Sequence, residues 1–505
     1  MRWPALWLAG AALLGGAGCY RPRPLDARTV GTEVEEEQPP VAAARTGPAP
    51  ATPATQASAV TTAAPGDRAA PLAPAASAPD DLAPAAPPDH GSVAPVEQLS
   101  EEQAVARALR FNPGLRAQRH QVGMAEGEIT AATALSNPTV ELNWQRLEAP
   151  AEHAFSVQLA WAPPQPELYA AKRDAARAGA KAVKSEIAES EWEVVTAVRS
   201  AHANLLALGE QRRLVEVSLA KRRRIEELLE RRVRGGASTS IDFSLAQLSV
   251  AEGERQHEEL AAQELEAGRQ LAQLLGSTRT LRARGALPEE SGPLPAYQAL
   301  VDEALASRPS LTAEQSRFLQ REEAIRVENA RRWPWFELTS APRYRYEVNS
   351  RHTNDFQFGV RFTVPILDQN AGPIRVAEAA RDAEREQFRQ QAQAIRREIG
   401  TGLDEVTQRR SSLERYRRTV LPSLDAHERL LNSAAQGGQL DVVAVLRAED
   451  AILRSRSEFV ALLLSHHQAW LRLDSATGRR VAAGAPLRSQ VAPPTGPATP
   501  REAPR

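Results

Sequence analysis

Residues 167–234 read ELYAAKRDAARAGAKAVKSEIAESEWEVVTAVRSAHANLLALGEQRRLVEVSLAKRRRIEELLERRVR, with no proline, and run directly into Gly235-Gly236. Within this stretch Val183, Ile187, Val194, Val198, Ala201, Leu205 and Leu208 step by threes, fours and sevens, the spacing of a coiled-coil seam. At 1.5 Å per residue, about 68 helical residues make a rod roughly 100 Å long. Gly235-Gly236 ends the rod, and a return helix is predicted from about Thr239 to Leu275-Gly276.

The pattern occurs twice. A second long helix, predicted from about Ile374, carries Ile395, Ile399, Val406, Leu413 and Val420, with a kink expected at Pro422. Gly437-Gly438 turns the chain, and Val442, Val445, Ile452, Phe459, Leu463, Trp470 and Leu473 form the returning seam. Upstream, Asn112-Pro113 recurs as Arg308-Pro309 and Asn137-Pro138 as Trp333-Pro334, at an offset of about 196 residues. Phe155, Pro164 and Gly235-Gly236 recur as Phe356, Pro365 and Gly437-Gly438, at an offset of about 201 to 202, a drift read as loop insertion. An offset held over so much chain marks an internal duplication.

Ahead of each rod come two shorter helices and then period-two alternation. The first copy shows Val140, Leu142 and Trp144, then Phe155, Val157, Leu159 and Trp161. The second shows Leu338 and then Phe356, Phe358, Val360, Phe362 and Val364. Each copy therefore contributes one hairpin with an apolar face. Trp144, Trp161, Trp333 and Trp335 are expected near strand ends, where aromatics favour a membrane interface. Four strands cannot close a membrane barrel, which needs at least about eight, but three copies would supply twelve. The alternative is a soluble partner for the hairpins and a purely structural rod.

The composition of the 505 residues agrees: 42% hydrophobic, only 5% aromatic and 25% charged suit long helices on narrow seams better than a thick enzyme core. A net charge of −1 gives no reason to expect a nucleic-acid partner. No apolar run reaches the roughly 18 charge-free residues of a bilayer-spanning helix. The sequence contains no phosphate-cradling loop, His-Glu-x-x-His motif or nucleophile elbow, so no enzyme, cofactor or metal site is expected.

Cys19 is the only cysteine. Arg2, the apolar Ala5 to Leu14 and the small residues Gly15 to Gly18 lead into it, an arrangement that resembles a bacterial lipoprotein signal. The resemblance implies a lipidated Cys19 and, with Tyr20 rather than Asp following, delivery to the outer membrane. The predicted organisation is a signal peptide over 1–18 and a lipid-anchored Pro/Ala-rich disordered linker over 19–96. Repeat one follows over 97–279, a connector over 280–293, repeat two over 294–480 and a disordered tail over 481–505.

Leu99-Ser100-Glu101-Glu102-Gln103-Ala104, Asn112-Pro113-Gly114-Leu115 and Leu135-Ser136-Asn137-Pro138 resemble the start of TolC-family outer-membrane efflux proteins. Thr363-Val364-Pro365-Ile366-Leu367-Asp368-Gln369-Asn370-Ala371-Gly372 and Val420-Leu421-Pro422 are similar to later stretches of that family, most closely to its cobalt-zinc-cadmium branch. The resemblance implies a mainly α fold with a small β part, trimerising into a 12-stranded outer-membrane β-barrel on a periplasmic α-helical barrel. It further implies a homotrimer that docks to a periplasmic membrane-fusion adaptor and an inner-membrane pump of the resistance-nodulation-division type, serving as a passive exit duct for heavy-metal cations. Within the same class, a duct for drugs or for type I protein secretion remains open; from another class, a non-conducting periplasmic scaffold does.

Family resemblance also places the Gly235-Gly236 and Gly437-Gly438 turns at the periplasmic tip and makes Asp242 a gate candidate. In the second repeat the gate positions of relatives fall on Ala444 and Arg447, so Asp441 and Arg447 are candidates for an ionic contact instead. Helix capping after a Gly-rich turn is the alternative reading of both aspartates. His466-His467 is read as a hydrogen-bonded seam histidine rather than a metal site, and Arg222-Arg223-Arg224 with Arg231-Arg232 as a solvated face.

Overall fold

The computed structural model describes residues 97–148, 151–290, 292–347, 352–436 and 442–481. Cys19, Gly437, Gly438 and Asp441, with the signal and linker read from the sequence and the tail beyond Val481, lie outside them; Val481 itself is buried in the second repeat's apolar cluster rather than part of a tail. The first repeat runs β1 (Glu97–Leu99), α1 (Glu101–Phe111), α2 (Pro113–Thr133), β2 (Thr139–Glu148), β3 (Ala151–Trp161), α3 (Pro166–Arg234) and α4 (Ser240–Leu274). The second runs β4 (Leu281–Ala283), α5 (Tyr297–Ser307), α6 (Pro309–Arg331), β5 (Phe336–Glu347), β6 (His352–Phe362), α7 (Ala371–Arg415), a π-helical turn (Tyr416–Val420), α8 (Leu421–Gln436) and α9 (Val442–Thr477). No described helix is long and apolar enough to cross a membrane. The long rods of the sequence are present, α3 alone being 69 residues.

Two apolar clusters repeat the duplication in space. One joins Ala104 and Ala108 of α1 to Val198 and Leu205 of α3 and Leu271 of α4. The other joins Leu300 and Ala304 of α5 to Ile399 and Val406 of α7 and Leu473 of α9. Paired in order, these residues keep the offsets of the sequence, so each repeat builds the same core from its own copies.

The two repeats secure their helix junctions with different chemistry. Asn112 precedes Pro113; its Oδ1 accepts from the Leu115 N–H at 3.0 Å, and its Nδ2 donates to the Leu274 carbonyl at 2.8 Å. One side chain thus caps α2 and ties it to the end of α4. Arg308, in the corresponding place, has no acceptor atom and cannot cap α6. Its Nη1 donates to the Ala476 carbonyl at 3.2 Å, reproducing the tie, while Glu189 of α3 accepts from the Ser310 N–H at 3.2 Å and supplies the missing cap. Glu189 and Glu398 neutralise the buried guanidinium at 3.2 and 2.7 Å.

Three features depart from the sequence reading. First, the irregularity expected at Pro422 takes the form of a wide turn ahead of it: between Tyr416 and Val420 the helix widens and the Leu421 N–H reaches back to the Tyr416 carbonyl. Proline has no N–H to donate and its ring crowds the carbonyl four residues back, and a wider turn relieves both. Second, α7 begins at Ala371 rather than Ile374. Third, β1 and β4 pair in parallel, Glu97 with Leu281 and Leu99 with Ala283, joining the start of repeat one to the 280–293 connector. Gly268 permits this, because a Cβ there would lie 2.5 Å from the Leu281 carbonyl oxygen.

Replacing Arg308 with Ala leaves the partly buried Glu189 without its counterion, at an expected cost of about 3 kcal/mol in chemical denaturation. Adding Glu189→Gln to that variant should recover part of the loss, and strictly additive losses would contradict the coupling.

Candidate functional site

The sheet runs β2-β3-β5-β6, antiparallel throughout, with β2 and β6 each paired on one side only. Its register places Leu142 opposite Val157, Trp144 opposite Phe155 and Leu338 opposite Val360. These residues form one face, and it is uncovered: Leu142 is 65% and Phe356 70% exposed. On the opposite face Asn143, Ser156, Gln158, Thr339 and Gln357 line a recess of about 340 Å³. A sheet apolar on one side and polar on the other fits a barrel wall between lipid and water. Trp161 ends β3, and Trp333 and Trp335 lie just ahead of β5, as expected of interfacial aromatics. Trp144 does not: period-two alternation reports the face, not the depth, and it sits mid-strand in β2.

At the far end of the rods, Gly236 has φ +66°, the Ala237 N–H donates to the Arg232 carbonyl at 2.8 Å, and the Gly236 N–H donates to the Val233 carbonyl at 3.0 Å. This is a complete Schellman stop, with Gly235 in an ordinary right-handed conformation before it. Thr239 then caps α4. Its Oγ1 accepts from the Asp242 N–H at 3.2 Å, and Asp242 Oδ2 accepts from the Thr239 hydroxyl at 2.7 Å and the Thr239 N–H at 3.2 Å. Those bonds from Thr239 hold the half-exposed Asp242 carboxyl below its usual range. Capping therefore engages Asp242, and the carboxylate still faces water with its charge intact.

Arg447 is exposed and borders a groove of about 860 Å³ between α3, α4 and α9, together with Leu248, Glu252, Leu446 and Asp450. The arginine cluster is only partly the solvated face read from the sequence. Arg222 is buried, donating to Asp450 at 2.6 Å and to the Ser249 carbonyl at 2.9 Å. Arg223 pairs with Glu254 at 2.7 Å and Arg231 with Glu227 at 2.9 Å, both exposed.

Near the α1 end of the rods lies a buried polar cluster that sequence spacing did not indicate. Arg199 pairs with Glu101 at 3.1 Å, Arg480 pairs with the same carboxylate at 3.3 Å, and Asp474 accepts from the Val481 N–H at 2.8 Å. Burial pushes the Asp474 carboxyl up to about 7; Glu290 adds to the rise and Arg199 and Arg480 oppose it. In the same region the Trp470 indole donates to His466 Nε2 at 3.2 Å, as a seam histidine should, and burial lowers the His466 pKa. Among the described residues no group of His, Cys, Asp or Glu could hold a metal ion.

The family described as "Outer membrane efflux protein" matches residues 104–277 and 300–479, one span on each repeat. The chain belongs to this family. It is an outer-membrane efflux channel of a Gram-negative bacterium, and the family's work is transport. The cobalt-zinc-cadmium resistance protein CzcC of Cupriavidus metallidurans is 22% identical over 391 residues, covering 75% of this chain and 90% of CzcC. A membrane protein from Pseudomonas aeruginosa shares the fold at TM-score 0.64 and 20% identity, covering 75% of this chain and 92% of its own. The CmeC outer membrane channel of Campylobacter jejuni does so at TM-score 0.64 and 13% identity, covering 77% and 88%.

Two measurements address these features. Gly236→Ala forces a Cβ into the left-handed region at about 1–2 kcal/mol and should speed hydrogen exchange in the last turn of α3 and the first of α4. For Asp474 the folded pKa lies above the ordinary 3.8, so its contribution is fully present below that value and is lost as pH rises through about 7. Asp474→Asn keeps an acceptor for Val481 and removes the titration. Its melting temperature should gain on the native chain by about 2–4 °C between about pH 5 and pH 8, whereas parallel curves would contradict the assignment.

Proposed function

We propose that the chain is a passive exit duct: a lipid-anchored homotrimer whose sheets close into a 12-stranded barrel and whose helices form a tube across the periplasm. The observation that carries this reading is the open, two-faced sheet. In lipid its unpaired β2 and β6 edges would each leave backbone groups without partners at several kcal/mol apiece, and only further copies of the same sheet remove both edges at once. The helix tips at Gly235-Gly236 and Gly437-Gly438 dock to a periplasmic membrane-fusion adaptor, which connects the duct to an inner-membrane pump of the resistance-nodulation-division type. The similarity to CzcC supports heavy-metal cations as cargo. Asp242 presents a ring of three carboxylates at the entrance, while Asp441 and Arg447 hold the second tip by charge contact. Lipid on Cys19 adds an anchor.

Purified trimer should conduct in planar bilayers, and Asp242→Ala should alter the cation dependence of that current; a protein without conductance would remove the duct. A deletion strain should become sensitive to cobalt, zinc or cadmium with drug sensitivity unchanged, and the reverse pattern would reassign the cargo.

A further inference from the structure

The chain leaves β6 through a segment whose apolar side chains stand clear of the protein. Pro365 sits in a three-residue turn, the Ile366 N–H donating to the Val364 carbonyl at 2.9 Å, and this turn takes the backbone off the sheet. Asn370 returns it to the end of α6. It adopts the left-handed conformation at φ +59°, and its Nδ2 donates to the Glu328 carbonyl at 2.7 Å and to the Glu328 carboxylate at 2.9 Å. Between these two fixed points the apolar stretch stays bare. Ile366 is 75% and Leu367 100% exposed, and they extend the uncovered run of Phe358, Val360, Phe362 and Val364 past the last ladder pair, Phe336 with Phe362.

A positive charge faces the same space. Val364, Ile366, Leu367 and Asp368 share a recess of about 680 Å³ with Arg331 and Arg332, at the helix end of β5 and β6. Arg331 is neutralised by Glu328 at 2.7 Å. Arg332 is not: it donates to the neutral Gln369 side chain at 2.9 Å, and among the described residues it forms no ion pair. The Asp368 carboxylate accepts from the Asn370 N–H at 2.8 Å and does not pair with Arg332. Residues 331–336 read Arg-Arg-Trp-Pro-Trp-Phe, cations and aromatics together at one end of an apolar wall. The first repeat has no such site. Pro138 corresponds to Pro334 and Pro164 to Pro365, which puts Leu135-Ser136 in place of Arg331-Arg332 and Gln165-Pro166 in place of Ile366-Leu367.

We propose that this recess is a phospholipid site, in which Arg332 holds the headgroup phosphate of an anionic lipid of the periplasmic leaflet while Ile366 and Leu367 enter the acyl layer beside it. The site rests on the reading above that the sheet stands in the membrane. Two arguments select lipid as the occupant. The recess is continuous with the apolar face, so the lipids that cover Phe362 also reach Ile366, and bare apolar side chains backed by a basic one suit an anionic membrane surface. The second argument is charge. Arg332 needs an anion from outside the chain, and an adjoining copy is a poor source of one. The recess lies between the ends of β5 and β6, inward of the free edge, and the segment before β2 that another copy would bring to that edge runs from Ile129 to Val140 without an acidic residue. A phosphate supplies the charge, and a guanidinium binds it through paired N–H donors. Because only the second repeat carries these residues, each chain holds one lipid in this way.

Leu367→Cys carries an environment-sensitive fluorophore on the full-length chain, and the native chain, whose only cysteine is Cys19, gives the background. In vesicles of phosphatidylcholine and phosphatidylglycerol, nitroxide-bearing lipids should quench this label more strongly than aqueous iodide does. Native mass spectrometry of the detergent-solubilised protein should show phosphatidylglycerol retained in preference to phosphatidylcholine. Arg332→Gln should lower that preference about fivefold, and Arg332→Lys, which keeps the charge, should retain most of it. A label quenched mainly by iodide puts the segment in water, and one quenched by neither agent puts it under another protein surface. Either result, or a lipid preference that Arg332→Gln leaves unchanged, overturns the site while the barrel stands. A chain that does not enter the vesicles at all removes the membrane-standing sheet and the site with it.

Discussion

A strand in lipid has nowhere to send a backbone amide except to another strand, and this constraint organises the whole chain. The four-stranded sheet satisfies its interior ladders and leaves two edges. Its apolar face excludes water as a partner for them, and its polar face excludes a second packed sheet. The helices follow from the same requirement. They attach to the sheet through short connections at one end only, so any ring the strands adopt is passed to the rods.

Duplication meets that constraint economically, but the repeats have diverged where a change could be absorbed. Asn112 performs two tasks with one amide. Arg308 performs one of them and obliges Glu189, far away in sequence, to perform the other. A charge has been buried and then neutralised at a junction that could have been neutral. The result welds α3 to α6 and α7, whereas the Asn112 junction joins only α2 and α4.

Much of this was legible in the sequence, for a physical reason. Seams and alternating strands are local patterns, so Val198, Leu205 and Phe356 through Phe362 declare their faces within a few residues. What was not legible lies across long separations. Nothing near Leu281 signals a strand, because three residues have no period, and its pairing with Glu97 is visible only once α4 has returned the chain. Arg222 reads as one of three solvated arginines until Asp450 is brought beside it. The acid at Asp474 becomes unusual only when burial removes its water. Of the tip residues, Asp242 was readable as a cap from its place after a Gly-rich turn, and the structure supplies Thr239 as its partner.

The π-helical turn bears on how a duplicated rod survives an insertion. The repeats correspond at an offset of about 201 through Leu205 and Val406, and at about 202 from Leu271 and Leu473 onward, so the second copy holds one additional residue in between. In an unbroken α-helix one extra residue would rotate everything beyond it by about 100° and swing the apolar stripe out of its seam. The wide turn at Tyr416–Val420 lies in that interval and accommodates the surplus within a single loop of backbone. It works as a phase corrector: the insertion stays local, and the tip half of the second hairpin keeps the angular alignment of the first.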